Sequence, residues 1–187
     1  MHLGDRIIDG HSDLDIATFR VTPEELKLAG HTVLTGFQNA WPPRFPEVNA
    51  GITFCGFPGH GSRVPAFREI TFGIFSAACN LTSANETAIS VQIERERLRQ
   101  VHGDGVMSDD CDFGAIRGGP LIAIVQTPTM RSWIPAGVIV QGPNPTGDSS
   151  QSILGFELIK GRPIQYILPD GHLNVSRWEM NNMHRVR

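Results

Sequence analysis

The sequence predicts an all-β protein, and three observations carry that prediction. Twenty glycines and thirteen prolines are scattered through 187 residues, and both residue types punctuate strands and fit poorly inside helices. Between them lie short apolar runs of strand length. A chain of this size buries roughly two-thirds of the surface its unfolded form exposes, so one compact barrel with appendages fits.

Taken in order, the first expected strand is 14–21, where Ile16, Phe19 and Val21 are apolar. Next come 33–37 and 51–57, the latter opened by Gly51 and closed before Pro58. The stretches 69–76 and 87–94 follow, and in the second of these Ile89, Val91 and Ile93 alternate with Ser90, Gln92 and Glu94. The run Leu121-Ile122-Ala123-Ile124-Val125 sets 121–127, and apolar residues set 136–141 and 163–168. Two segments read as helices instead: Pro23–Leu28 with Thr22 as its cap, and 175–184 at the C-terminal end. The proline-rich Trp41-Pro42-Pro43-Arg44-Phe45-Pro46 belongs to a connection over 23–49. No internal repeat, low-complexity tract or heptad interrupts this layout.

Charge narrows the function classes. The net charge is −3 and the sequence pI about 6.1, so no global attraction to nucleic acid or an anionic membrane is expected. Three cysteines, Cys55, Cys79 and Cys111, leave at least one thiol unpaired and show no Cys-x-x-Cys spacing. Met1-His2-Leu3-Gly4-Asp5-Arg6 lacks the apolar core of a signal peptide, and no run approaches the roughly 20 apolar residues of a membrane span. The default expectation is therefore cytoplasmic, with no cofactor.

The most informative stretch is Asp112-Phe113-Gly114-Ala115-Ile116-Arg117-Gly118-Gly119-Pro120-Leu121-Ile122. Two successive glycines permit a sharp turn, Pro120 fixes its exit, and the apolar run that follows anchors it in a core. This stretch resembles the Gly-x-Ser-Gly-Gly-Pro nucleophile turn of the trypsin-like, chymotrypsin-fold serine peptidases of bacterial type. The resemblance puts Arg117 at the nucleophile position and Ala115 at the glycine that helps form the oxyanion hole, so Ala115 and Arg117 mark that hole here. A guanidinium stays protonated at physiological pH and cannot attack a carbonyl.

Three further segments extend the resemblance over about residues 4 to 173. Asp13-Leu14-Asp15-Ile16-Ala17-Thr18-Phe19-Arg20-Val21 is similar to the family's Asp-Ile-Ala-Leu-Leu-Lys-Leu stretch and makes Asp15 the triad aspartate position. A buried carboxylate there would orient the catalytic histidine. Asn49-Ala50-Gly51-Ile52-Thr53-Phe54-Cys55-Gly56-Phe57-Pro58-Gly59 resembles the strand that opens the second barrel. Pro135-Ala136-Gly137-Val138-Ile139-Val140-Gln141-Gly142 resembles Gly-Ile-Val-Ser-Trp-Gly, which implies that Val140, Gln141 and Gly142 line the substrate cleft. Cys111 takes the position of the pocket floor, small and weakly polar, suited to an apolar side chain.

The family's histidine belongs several tens of residues before its aspartate, and only fourteen residues precede Asp15 here. His2 and His11 lie too close to Asp15 to match it. The expectation is thus a truncated homologue: a remnant strand of the first barrel over 1–22, a linker over 23–49, a complete second barrel of chymotrypsin-like antiparallel type over 50–173, and a tail or short helix over 174–187. As written it is expected to be inactive, a pseudoenzyme able to take an extended peptide or protein along 138–142. An exposed apolar patch around Ile16, Phe19 and Val21 would favour self-association through the incomplete first barrel. Two alternatives stand beside this reading: a serine endopeptidase gene product active only when complete, and an unrelated small β-domain acting as a binding module.

Other chemistry reads as thinner. His102, Asp104, Asp109, Asp110, Cys111 and Asp112 form an acidic loop without the Asp-x-Asp-x-Asp-Gly spacing of a calcium site, so no metal is expected. Ser108 and Cys111 lack the following glycines that shape an oxyanion hole, His60 reads as a turn histidine, and Glu94–Arg99 as a solvated charge run.

Overall fold

A computed structural model of the chain describes residues 3–28, 41–57, 62–66, 69–72, 75–94, 99–102, 116–126, 129–143 and 157–183. Among these, the strands in chain order are β1 (Ile7–His11), β2 (Ile16–Phe19), β3 (Gly51–Gly56), β4 (Ser62–Ala66), β5 (Glu69–Phe72), β6 (Phe75–Ala84), β7 (Ile89–Ile93), β8 (Arg99–His102), β9 (Pro120–Gln126), β10 (Arg131–Gln141) and β11 (Glu157–Pro163). Helix α1 spans Pro23–Leu28 and α2 spans Val175–Met183. The chain divides into two units, Phe45–Pro163 and a discontinuous one made of Met1–Arg44 with Ile164–Arg187.

The first unit is a closed antiparallel β-barrel of six strands, in the ring order β3, β9, β10, β11, β7, β6 and back to β3. The set β9-β3-β6-β7 is a Greek key, the fourth strand returning to lie beside the first, and the β10–β11 hairpin closes the gap. Closure leaves no open edge in the ring. Period-2 patterning supplies the interior: Ile89, Val91 and Ile93 of β7 point into the core while Ser90 and Gln92 are half-buried. Ile52 and Phe54 of β3, Leu81 of β6, Leu121 of β9, Ile139 of β10 and Ile159 of β11 complete the cluster. Each such side chain contributes about 1.5–3 kcal/mol by leaving water. Phe54 and Phe75 pack as tilted rings 6.3 Å apart.

A small barrel needs bends and local thinning. Register shifts in β6 between Leu81 and Ser83 and in β10 between Pro135 and Gly137 and between Ile139 and Gln141 kink those strands so that the sheet curls on itself. Gly161 of β11 makes room for a neighbour, since a Cβ there would fall 2.4 Å from Leu121 Cδ1. The interior is filled from β9 at the level where β11 carries no side chain. Outside the ring, β8 pairs with β6, and β4 with β5 as a separate two-stranded sheet.

Several strand expectations match the structure, and the others differ for local reasons. The stretch read as one strand over 69–76 is β5 followed by the start of β6. Residues 163–168 are not a strand: β11 ends at Pro163, and Ile164–Tyr166 form a 3-10 turn whose three residues are all buried. The strand instead runs through Glu157-Leu158-Ile159-Lys160-Gly161-Arg162-Pro163, where Ile159, Gly161 and Pro163 face inward and the charged residues between them hid the alternation. β1, β4 and β8 were not foreseen, and 33–37 lies outside the described residues.

The discontinuous unit is held by side-chain to backbone bonds across long sequence distances. Strands β1 and β2 form a hairpin, Ile7 opposite Phe19 and His11 opposite Ile16. Asp9 Oδ2 accepts the Leu173 amide at 2.9 Å, and Thr18 Oγ1 donates to the Gly171 carbonyl at 2.6 Å, so the hairpin grips the 168–173 loop. Trp41 Nε1 donates to the Ile167 carbonyl and Gln165 Nε2 to that of Pro43, tying in the 41–44 segment. Residues 164–173, which the sequence reading placed at the end of the barrel, therefore cluster with the N-terminal hairpin. Leu14, Ile16, Ile164, Tyr166, Leu173 and Trp178 are among the buried apolar residues of this unit. Ile16 thus does not join an exposed patch, whereas Phe19, Val21 and Ile7 are 43%, 52% and 50% exposed.

Both helices start where the sequence signals said. Thr22 and Glu25 form a reciprocal capping box: the Glu25 amide donates to Thr22 Oγ1 and the Thr22 amide to Glu25 Oε2. The Thr22 amide, with Arg6 paired to the same carboxylate, holds Glu25 below the usual carboxylate range. Asn174 caps α2 by accepting the Arg177 amide.

Candidate functional site

Residues 116–119 form the tight turn that the Gly-Gly-Pro signal announced, and its geometry follows from three backbone bonds. Gly118 N donates to Ile139 O at 2.8 Å, Ile139 N donates to Gly119 O at 2.8 Å, and Gly119 N closes the turn on Ile116 O at 3.1 Å. The turn is thereby stitched to β10. Gly118 adopts φ +81°, the left-handed region that glycine enters without a Cβ penalty. Gly119 has a different reason: a Cβ there would stand 2.0 Å from the Cys55 carbonyl of β3. Ile116 is buried beneath the turn and fits because Gly56 carries no side chain, a Cβ at 56 falling 2.7 Å from that of Ile116.

Three of the four segments singled out in the sequence therefore meet in one place: the end of β3, the 116–119 turn and the middle of β10. Arg117 sits at the apex of the turn and is exposed. Past Ile139 the β9 ladder has ended, its last pair being Val138 with Pro120. Val140 and Gly142 are buried there and Gln141 is half-buried, paired with Lys160 across a bulge. Cys111 and Ala115 lie outside the described residues, as does the acidic loop from Asp104 to Asp112. Asp15 belongs to the other unit, where it is exposed at φ 55° in the turn between β1 and β2, its amide donating to Ser12 O. Its carboxylate is thus not the buried group that the aspartate position implies.

The described thiols offer no substitute nucleophile. Burial raises the Cys55 thiol and pushes Cys79 up to about 12, so both stay protonated at neutral pH. Among the described residues no group of three or more His, Cys, Asp or Glu side chains is placed to hold a metal ion.

The pairing of His172 with Asp9 escaped the sequence reading. His172 Nδ1 lies 3.6 Å from Asp9 Oδ2. The amides of Leu173 and Gly10, bonded to the same carboxylate, hold Asp9 below its ordinary range, with His172 adding to them. No local spacing rule could find it, because the two residues come from opposite ends of the chain and meet only when the 168–173 loop docks on β1. The imidazole is more than half exposed, and the pair's evident work is to secure that loop.

A scan against protein-family models, a search of curated proteins and a search of solved structures each return no match for this chain.

Proposed function

We propose that the chain is a non-catalytic homologue of the chymotrypsin-type serine peptidases, whose remaining capacity is to take up an extended peptide along residues 138–142. The observation that supports this reading is the 116–119 turn: its two glycines are each required by geometry, it is bonded to β10 and packed on β3, and an exposed Arg117 sits at its apex, the position that the resemblance gives to the nucleophile. The Greek-key barrel of six strands supports the same ancestry, since it brings the three resembling segments together. A fixed positive charge at the apex has no hydroxyl to activate, and peptide hydrolysis by acyl transfer requires one.

Strand addition is the mode by which such a surface binds. The β9–β10 ladder ends at Val138 and the 116–119 turn holds Ile139, and an extended peptide laid along 140–142 is the mode that the resemblance implies. The test has two arms. Incubation with denatured protein and a fluorophosphonate probe is expected to give neither hydrolysis nor labelling. Titration with extended apolar peptides, followed by backbone amide shifts, is expected to move Val140, Gln141 and Gly142 first. Hydrolysis sinks the non-catalytic part, and peptide-induced shifts confined to other strands sink the binding part.

A further inference from the structure

We propose that the peptide laid along residues 138–142 is an anionic one, its carboxylate held between Arg117 and Lys160. The inference rests on the peptide-binding reading above and adds the chemistry of the ligand.

Backbone pairing places both cations. The 116–119 turn is bonded to Ile139 through Gly118 N and Gly119 O, so its apex residue Arg117 stands on one flank of β10. On the other flank β11 pairs with β10, Ile139 opposite Gly161 and Gln141 opposite Lys160. Two strand spacings of about 4.8 Å separate the turn from β11, so the backbones that carry the two side chains stand roughly 10 Å apart across residues 139–141. Two long side chains can close that gap on one carboxylate.

Packing turns both away from the interior. Ile116 is buried beneath the turn while Arg117 beside it is exposed, and Lys160 is half-buried between the inward-facing Ile159 and Gly161. Among the described residues neither side chain has an ion-pair partner. The chain as a whole has a net charge of −3, so this pair is a local feature and not part of a general basic surface. A carboxylate between the two would relieve their mutual repulsion and accept charge-assisted hydrogen bonds, from Arg117 through its planar fork and from Lys160 as a point charge. A basic peptide would meet the same two charges and be rejected.

The test uses a single apolar sequence made in three forms: capped at both ends and neutral, with a free C-terminal carboxylate, and capped with an internal glutamate. Each is titrated into the full chain and followed at the amides of Val140, Gln141 and Gly142. At least one carboxylate form should bind on the order of tenfold more tightly than the neutral form, and the form that gains tells a terminal carboxylate from a side-chain one. The advantage should shrink as ionic strength rises from about 10 mM to 0.5 M. Arg117→Gln with Lys160→Gln should bring the ratio of carboxylate to neutral affinity near one, and taking the ratio within each protein cancels any effect of the substitutions on folding. Equal affinity of all three forms, or a ratio unchanged in the double variant, would overturn the proposal and leave peptide binding standing. Absence of shifts with every form would remove the strand-addition reading and the proposal with it. Tighter binding of a single-stranded oligonucleotide at the same amides would assign the pair to phosphate and overturn the peptide ligand.

Discussion

Gly119→Ala and Gly118→Ala are neighbouring substitutions of one methyl group each, and the structure assigns them very different costs. At Gly118 the added Cβ meets nothing within 4 Å, so the penalty is that of holding alanine at φ +81°, about 1–2 kcal/mol. At Gly119 the Cβ arrives 2.0 Å from Cys55 O and 2.9 Å from Ile116 O, both backbone atoms that cannot rotate away. Either the turn or β3 must move, at about 1–3 kcal/mol for overpacking. The displacement also endangers the Ile139 N–H to Gly119 O bond and the turn's own closure, each about 1 kcal/mol net. Together these amount to about 3–5 kcal/mol, a large share of a domain stability of about 5–15 kcal/mol. Urea denaturation followed by tryptophan fluorescence reads the difference: at a slope of about 2 kcal/mol/M, Gly119→Ala should lower the midpoint by about 1.5–2.5 M and Gly118→Ala by about 0.5–1 M. If the two midpoints coincide, or if Gly118→Ala is the more damaging, the turn is not docked against β3 in the way described and the case for the site falls with it.

On the proposed non-catalytic reading, Arg117→Ser combined with Ala115→Gly should give no burst of acylation with an activated ester; a burst would show that a base had been overlooked. Leu121→Ala should cost about 2–5 kcal/mol, and Gly161→Ala, which alone drives a Cβ to 2.4 Å from Leu121 Cδ1, should cost less in that background than in the wild type. Additive costs in the thermal unfolding of the four proteins would contradict the shared interior space. The lowered carboxyl of Asp9 makes the native state favour its ionised form, so this stabilisation is complete above the unfolded value of about 3.9 and is lost as pH falls through the folded one. Hydrogen exchange at the Leu173 amide, corrected for its intrinsic pH dependence, should therefore show protection falling in acid, and Asp9→Asn should remove that dependence. Cys79, pushed up to about 12 by burial, should resist a thiol reagent at pH 8 in the folded protein and react once unfolded, as peptide mass mapping would register.

What the sequence by itself determined was local or periodic. The Thr22 cap needs only the few residues that follow it, and the structure adds Glu25 as its reciprocal partner and Asn174 as the cap of α2. The alternation of Ile89, Val91 and Ile93 names an inward face without naming its partners. Gly118-Gly119-Pro120 announces a sharp turn, and a turn is what forms. The tertiary structure alone decided what depends on pairing. β11 became a barrel strand despite Lys160, Gly161 and Arg162 because its inward positions face a leucine from β9 that fills the space, a relation invisible along the chain. Residues 164–173 cluster with the N-terminal hairpin, where Asp9, Thr18 and Trp41 bond their amides and carbonyls. Asp15 has the residue type that the resemblance asks for, but its left-handed backbone in the turn between β1 and β2 leaves it exposed, which no residue type could announce. Residue type and order are properties of the chain, whereas burial and pairing are properties of what the chain packs against, and both thiol chemistry and site geometry depend on the second.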